Sequence, residues 1–351
     1  MQATPDAYEM SVRHIGSGKY GDVFSVRDAA SGHSVAMKIS YYRDCTLAGV
    51  ARCARRGDIS GALRAKKMDA VSVSSQFARL TAARLLHTVS PHFVVMYEDM
   101  DCDRLAERLR HLLATRLSTL TPAQRRHTNV CFMERFDGSL TDWLLRTPHL
   151  GDAAMRGVTF QVLYTLAALQ RALPGVRHND LSTNNVLVRH VPQGVDALYT
   201  CAGRRFRVSR VPVLVAMTDY DFVHVPGHAA LSNERITGGK YPRMSASANP
   251  SYDAHLFLSS LRRCLRRRGV HGAPQAEQFL NSLQLSSEDR LVTPLPHCTP
   301  AILLRHAYFR PLRAAAAVAA PPCPTYGCDW RVRPTTPARN PQTPASRPPA
   351  P

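Results

Sequence analysis

A histidine and an aspartate two residues apart, with an asparagine five further on, stand in the stretch His178-Asn179-Asp180-Leu181-Ser182-Thr183-Asn184-Asn185. These residue types at this spacing suit phosphoryl transfer: the aspartate receives or orients an acceptor hydroxyl, and the asparagine carbonyl helps to hold a metal ion. A helical apolar run ends just before the stretch, at Leu173-Pro174-Gly175, and the β-type triplet Val186-Leu187-Val188 closes it. The polar residues therefore sit on a short loop between two buried elements, which holds a constellation rigidly. Taken alone, the same residues also read as a turn whose Asn and Asp cap backbone groups.

Three further stretches bear on that choice. Ile15-Gly16-Ser17-Gly18-Lys19-Tyr20-Gly21-Asp22-Val23 has the glycine spacing of a phosphate-covering turn, because without a Cβ the backbone approaches a polyphosphate closely and positive φ costs nothing. Val35-Ala36-Met37-Lys38-Ile39 reads as a strand whose ammonium could reach α- and β-phosphates, and Thr218-Asp219-Tyr220-Asp221 follows an apolar strand. Separately, a glycine-rich hairpin is a common turn and a lysine ending an apolar run is usually a snorkelling edge residue. Their joint order resembles the signature set of the eukaryotic-type protein kinases, from about residue 10 to about residue 312. The departures resemble those of kinases carried by large DNA viruses such as herpesviruses.

The resemblance implies an α+β, bilobal protein kinase-like fold, with a small mainly β N-terminal lobe, a larger mainly α C-terminal lobe, and ATP and Mg2+ as cofactors. By the same likeness Gly16, Gly18, Gly21, Val23 and Lys38 cover and position the phosphates. Met133 becomes the gatekeeper, and the backbones of Glu134 and Phe136 face adenine. Asp180 is the catalytic base, His178 the histidine supporting its loop, Asn185 and Asp219 the metal ligands, and Asp253 the aspartate bracing the catalytic loop.

Several positions depart from the family. No glutamate occurs between Met10 and Glu98, so the acid that a helix would present to Lys38 is missing. Gln76 stands roughly in its place, and Asp58 or Asp69 could substitute if the segment before it folds back. Asn179 replaces an arginine that receives an activation-loop phosphate, so control by that phosphorylation is not expected. Ser182 replaces a lysine, Tyr220 and Asp221 replace Phe and Gly, and no Ala-Pro-Glu closes the polar loop 223–251. Three readings follow. The leading one is ATP- and Mg-dependent transfer to serine or threonine of protein substrates. The departures support a pseudokinase that binds partners, and the paired acids Asp219 and Asp221 suit small-molecule phosphotransferases of the aminoglycoside and choline kinase type.

The elements that must position these residues follow from periodicity. Residues 1–10 read as a disordered lead and 11–136 as the N-terminal lobe, with insertions near 40–70, holding one helix, and near 98–128. Helices are expected over Ser74 to His87 and Asp101 to Leu117, and strands over Pro91 to Tyr97 and Val130 to Glu134. Residues 137–312 form the C-terminal lobe, with a long helix over Ala153 to Leu173, an arginine-rich surface insertion near 191–210, and helices opening at Tyr252 and at Thr299-Pro300. From residue 313 to 351 alanine and proline dominate, as in a disordered tail.

Composition bounds the rest. The chain of 351 residues can bury a sizeable core, and 44% hydrophobic with 20% charged residues is ordinary for a globular protein. No apolar run approaches membrane-spanning length and no secretory signal opens the sequence, so the expectation is a soluble intracellular protein of cytoplasm or nucleus, with no membrane partner. Nine cysteines without a C-x-x-C pair read as free thiols rather than a zinc site. The net charge of +19 gathers at Arg52 to Lys67, at Arg204 to Arg210 and at Arg262 to Arg268. Such surfaces favour acidic proteins, nucleic acid or nuclear import, or are simply solvated. No nucleic-acid-binding fingerprint accompanies the charge, and the oligomeric state is left open.

Overall fold

The computed structural model describes residues 10–18, 20–238, 247–268, 272–286, 293–314 and 325–327. It is mixed α+β, with an N-terminal sheet and its two longest helices later in the chain. Strands β1 (Met10–Ser17), β2 (Gly21–Asp28), β3 (Ser34–Tyr41), β4 (Met96–Asp103) and β5 (His127–Glu134) make one antiparallel sheet in the order β1-β2-β3-β5-β4. The β2–β3 turn is set locally: the Asp28 carboxylate accepts from the backbone of Ala30 and Ser31, and Gly32 takes φ +71°.

Between β3 and β4 the segment 40–70 holds two helices, not one: α1 (Asp44–Arg55) and α2 (Ile59–Lys67), separated at Gly57 with φ +70°. Their exposed side carries Arg52, Arg55, Arg56, Arg64 and Lys67. The following helix, α3 (Ala70–Leu80), starts earlier than the expected Ser74, because Asp69 caps it from the Val71 amide. It runs on through a π-helical turn, Thr81–Leu85, into α4 (Leu86–Thr88).

The strand expected over Pro91 to Tyr97 lies later, at β4. Phe93 and Val94 are buried, with Phe93 bridging Met217 outside the sheet, and the acidic run Glu98 to Asp103 forms the sheet edge instead. Edge strands tolerate charge because one row of groups faces solvent. The pairing of Asp101 to Asp103 with β5 also shortens the helix expected over Asp101 to Leu117. In its place come α5 (Leu105–Arg108), α6 (Arg110–Leu117) and α7 (Pro122–Arg126), after Arg104 at φ 59°. Leu113 and Leu120 from this insert pack against Phe24, Met37, Ile39 and Val130 on one face of the sheet, a small core of its own.

The main core forms around α9 (Asp152–Ala172), in which every residue from Met155 to Leu169 is buried. A helix buried on all sides belongs at the centre of a domain, and its polar members are bonded there, Gln161 to the Val213 carbonyl and the Val215 amide and Arg156 to the Tyr308 carbonyl. The chain reaches it through β6 (Gly138–Ser139) and α8 (Leu140–Arg146), and leaves it into the long hairpin of β7 (Val186–Cys201) and β8 (Arg204–Met217). The arginine-rich segment 191–210 is therefore not a surface insertion but the outer half of this hairpin, closed by Ala202 and Gly203, both at positive φ. One face of it is core: Tyr199, Phe206 and Val208 are buried, and Tyr199 and Phe206 pack on Phe160 of α9, while Arg204 and Arg210 face solvent.

Helices α10 (Glu234–Thr237), α11 (Tyr252–Arg268), α12 (Pro274–Ser282) and α13 (Pro300–Leu303) follow. Thr299 precedes Pro300 at the helix start but gives no side-chain cap, and the expected helix to Phe309 stops after one turn before a 3-10 segment, Ala307–Leu312. In the expected disordered tail, Thr325–Gly327 pairs parallel with β7 as strand β9; residues 315–324 and 328–351, like the lead 1–9, lie outside the described residues. Seven cysteines are free thiols among the described residues, and none of the helices there is long and apolar enough to cross a membrane.

Candidate active site

The β1–β2 hairpin roofs a cleft of about 620 Å³, within the range of small-molecule sites. Gly16, Gly18 and Gly21 line it, yet none of the three takes positive φ. What they contribute is space. A Cβ on Gly21 would lie 2.4 Å from the Ile39 carbonyl oxygen, so that position admits no side chain, whereas Gly16 has nothing within 4 Å and leaves the cleft open. Val23 pairs in register with Lys38, which brings the ammonium beneath the glycines. Across β3, Ala36 pairs with Met133 and Val35 with Glu134, so the end of β5 and the linker at Phe136 form the inner wall.

The floor comes from the loop after α9. The Asp253 carboxylate, on α11 and only 2% exposed, accepts from the backbone N–H of His178 at 2.8 Å and of Asn179 at 2.9 Å. Asn179 sits at φ 66°, a strained conformation that these bonds and its own Nδ2 bond to the Phe222 carbonyl stabilise. The His178 Nε2–H donates to the Thr218 carbonyl at 2.8 Å, next to Asp219, and the ring is buried rather than lining the cleft. Asn185 Nδ2 donates to the Asp180 carbonyl at 2.7 Å and to its carboxylate at 3.2 Å. Of the residues expected at the site, His178 alone is absent from the lining; Gly16, Gly18, Gly21, Val23, Lys38, Met133, Glu134, Phe136, Asp180, Asn185 and Asp219 all meet there.

Lys38 answers the question raised by the missing glutamate. Its Nζ lies 2.9 Å from Asp219 and 3.6 Å from Asp221. Neither Gln76 nor the two earlier acids reaches it: Gln76 donates to the Ser72 carbonyl, Asp58 caps α2 through Gly61, and Asp69 is taken up by Val71, Arg43 and Thr46. Helix α3 touches the site through a smaller group: Ser74 lines a small pocket together with Lys38 and Asp219, and its side chain favours the ionised form of Asp221. Burial opposes the charge on Lys38, but Asp219 and Asp221 outweigh it and hold the ammonium above its ordinary pKa. Burial also acts on Asp219, yet Lys38 keeps that carboxyl below the usual range. Asp221, buried and beside the charge of Asp219, is pushed up to about 6. Burial raises Asp253 as well, against its two backbone donors.

Asn185 and Asp219 both line the cleft, and their side-chain oxygens are hard donors of a kind suited to Mg2+. Among the described residues no cluster of three or more His, Cys, Asp or Glu could hold a metal alone, so a cation bound here would complete its shell with water or phosphate oxygens. Sequence reasoning missed Ser74 and the pairing of Asp221 with Lys38. The doubled acid at 219 and 221, combined with the absence of a glutamate upstream, was the available signal.

No family model matches the chain. Over 163 residues it is 27% identical to a protein of Acanthamoeba polyphaga mimivirus named "Putative serine/threonine-protein kinase", a match covering 41% of this chain and 34% of that relative. The chain thus aligns with about a third of the relative's length, and over that part the relationship is kinase-like.

Proposed function

We propose that the chain is a two-lobed protein kinase, transferring the γ-phosphate of ATP to serine or threonine hydroxyls of protein substrates with Mg2+. One observation carries the reading: Lys38, Asp180, Asn185 and Asp219, drawn from four separate segments, converge on a single cleft roofed by a glycine hairpin. A turn that merely capped backbone groups would have no reason to gather them.

In this reading the glycine hairpin and Lys38 bind and orient the triphosphate, and the linker from Glu134 to Phe136 receives the base. Asn185 and Asp219 hold Mg2+, which when bound neutralises phosphate charge. Asp180, steadied by Asn185, accepts the hydrogen bond of the acceptor hydroxyl and aims it for in-line attack, so most of the rate comes from positioning and charge. His178 acts from behind, fixing the Thr218 carbonyl and with it the approach to Asp219.

The test is incorporation of labelled γ-phosphate into basic and acidic proteins, comparing the intact chain with Asp180→Asn and Lys38→Met. Each variant should lose about 10²-fold or more in rate, the range for removing a positioned base or a charge contact. The acid pair facing Lys38 favours a second reading, a small-molecule phosphotransferase. Transfer to an alcohol panel but to no protein would establish that alternative. ATP binding without transfer to either would identify a pseudokinase.

A further inference from the structure

The glycine hairpin is fastened from outside the cleft, by a residue of the helical insert between β4 and β5. Arg116 on α6 donates through Nε to the Asp22 carboxylate at 3.0 Å, and through Nη2 to the Gly18 carbonyl and, at 3.5 Å, to the Gly21 carbonyl. Asp22 is 2% exposed and also accepts from the Ser17 hydroxyl at 2.6 Å and the Tyr41 hydroxyl at 2.9 Å. The guanidinium lies over the Tyr41 ring, 5.9 Å from its centroid. Its helix is itself anchored, because Leu113 is buried against the outer face of the sheet.

We propose that Arg116 is a positioning residue that holds the glycine hairpin in its cleft-covering shape before any nucleotide arrives. A surface ion pair would carry little weight, since screening and side-chain entropy cancel most of its attraction. This contact differs in two respects. Its acid is buried and triply bonded, so loss of the arginine removes the one guanidinium on a buried carboxylate and leaves it two hydroxyl donors, with His14 at 3.7 Å. Its planar fork spans a carboxylate and a carbonyl from separate nitrogens in a fixed geometry, which the single nitrogen of a lysine does not reproduce. The insert then has a role beyond packing, as a strut under a loop whose glycines give it little stiffness of its own. The consequence for ATP rests on the proposed function, whereas the tether itself does not.

The experiment is hydrogen exchange of the full chain without nucleotide, read on peptides covering residues 14–24, together with binding of a fluorescent ATP analogue. Arg116→Ala should speed exchange of that segment and weaken analogue binding about fivefold or more, with kcat for any transfer reaction less affected than KM. Arg116→Lys, which keeps the charge and guards against a misfolded alanine variant, should loosen the segment to an intermediate extent. Exchange at wild-type rates in both variants would overturn the proposal. If the wild-type chain binds no analogue while Arg116→Ala still loosens the hairpin, the tether stands and the ATP-site reading falls.

Discussion

Two carboxylates organise the cleft, and they do so in opposite ways. Asp253 under the floor accepts two backbone N–H groups that have a fixed place in the chain, so it defines one conformation of the loop from His178 to Asn185. Asp221 at the back wall faces a flexible ammonium, a second carboxylate and a hydroxyl from α3. Backbone bonds to a buried acid leave no slack. Side-chain bonds to a shared lysine can be redistributed, because Lys38 keeps Asp219 if Asp221 is lost. The floor is built for one geometry and the back wall for adjustment.

The largest effect should come from breaking the floor. Asp253→Ala leaves two buried amides without acceptors, at about 1–3 kcal/mol each, so chemical denaturation should register a loss of about 3–5 kcal/mol. Asp253→Asn keeps one acceptor oxygen and should lose roughly half as much. Equal losses for the two would mean that charge, and not the pair of backbone bonds, sets the brace.

The back wall should respond to pH. Asp221 is held near 6 against an ordinary 3.8, so the native state retains a proton that the unfolded chain releases between those values. Stability contributed by this group is therefore present at the acid end of the window and falls as pH rises from about 4 to about 6, by up to about 3 kcal/mol. Asp221→Asn removes that titration. Melting the two proteins across the window should give a difference that grows in favour of the variant with rising pH; a flat difference would sink the assignment. Ser74→Ala comes next: removing the hydroxyl that favours the ionised Asp221 should cost about 1 kcal/mol.

What could be read in the sequence divides along the same line. That the glycines, Lys38, Asp180, Asn185 and Asp219 would meet in one cleft was legible because their types and order match a known spacing pattern. Asp253 was legible only through the likeness to kinases, since nothing local marks an aspartate as an acceptor for amides far earlier in the chain. The β7–β8 hairpin was misread because arginines on its solvent face hide an alternation whose other face is Tyr199, Phe206 and Val208. The partner of Lys38 could not be seen either, because a salt bridge depends on which groups the fold leaves within reach, and the expected supplier, α3, carries no acid.

The smallest expected effect sharpens the comparison most. Gln76 occupies the helix position where an acid would be sought, and its amide donates to the Ser72 carbonyl within its own helix. Such a bond is worth about 0.5–1.5 kcal/mol at most and is replaced by water on a part-exposed helix face. Gln76→Ala should therefore change stability by less than about 1 kcal/mol, since alanine also has the higher helix propensity. Any phosphotransfer should stay within about twofold of the unaltered chain, as for residues outside a reacting constellation. Ser74→Ala, two residues earlier on α3, should lower transfer measurably, because it loosens Asp221 and through it Lys38. If instead Gln76→Ala were the damaging change and Ser74→Ala the silent one, the helix would reach Lys38 by another route in the working protein. The Lys38 pairing described here would then belong to a resting arrangement, and the back wall would be more adjustable still.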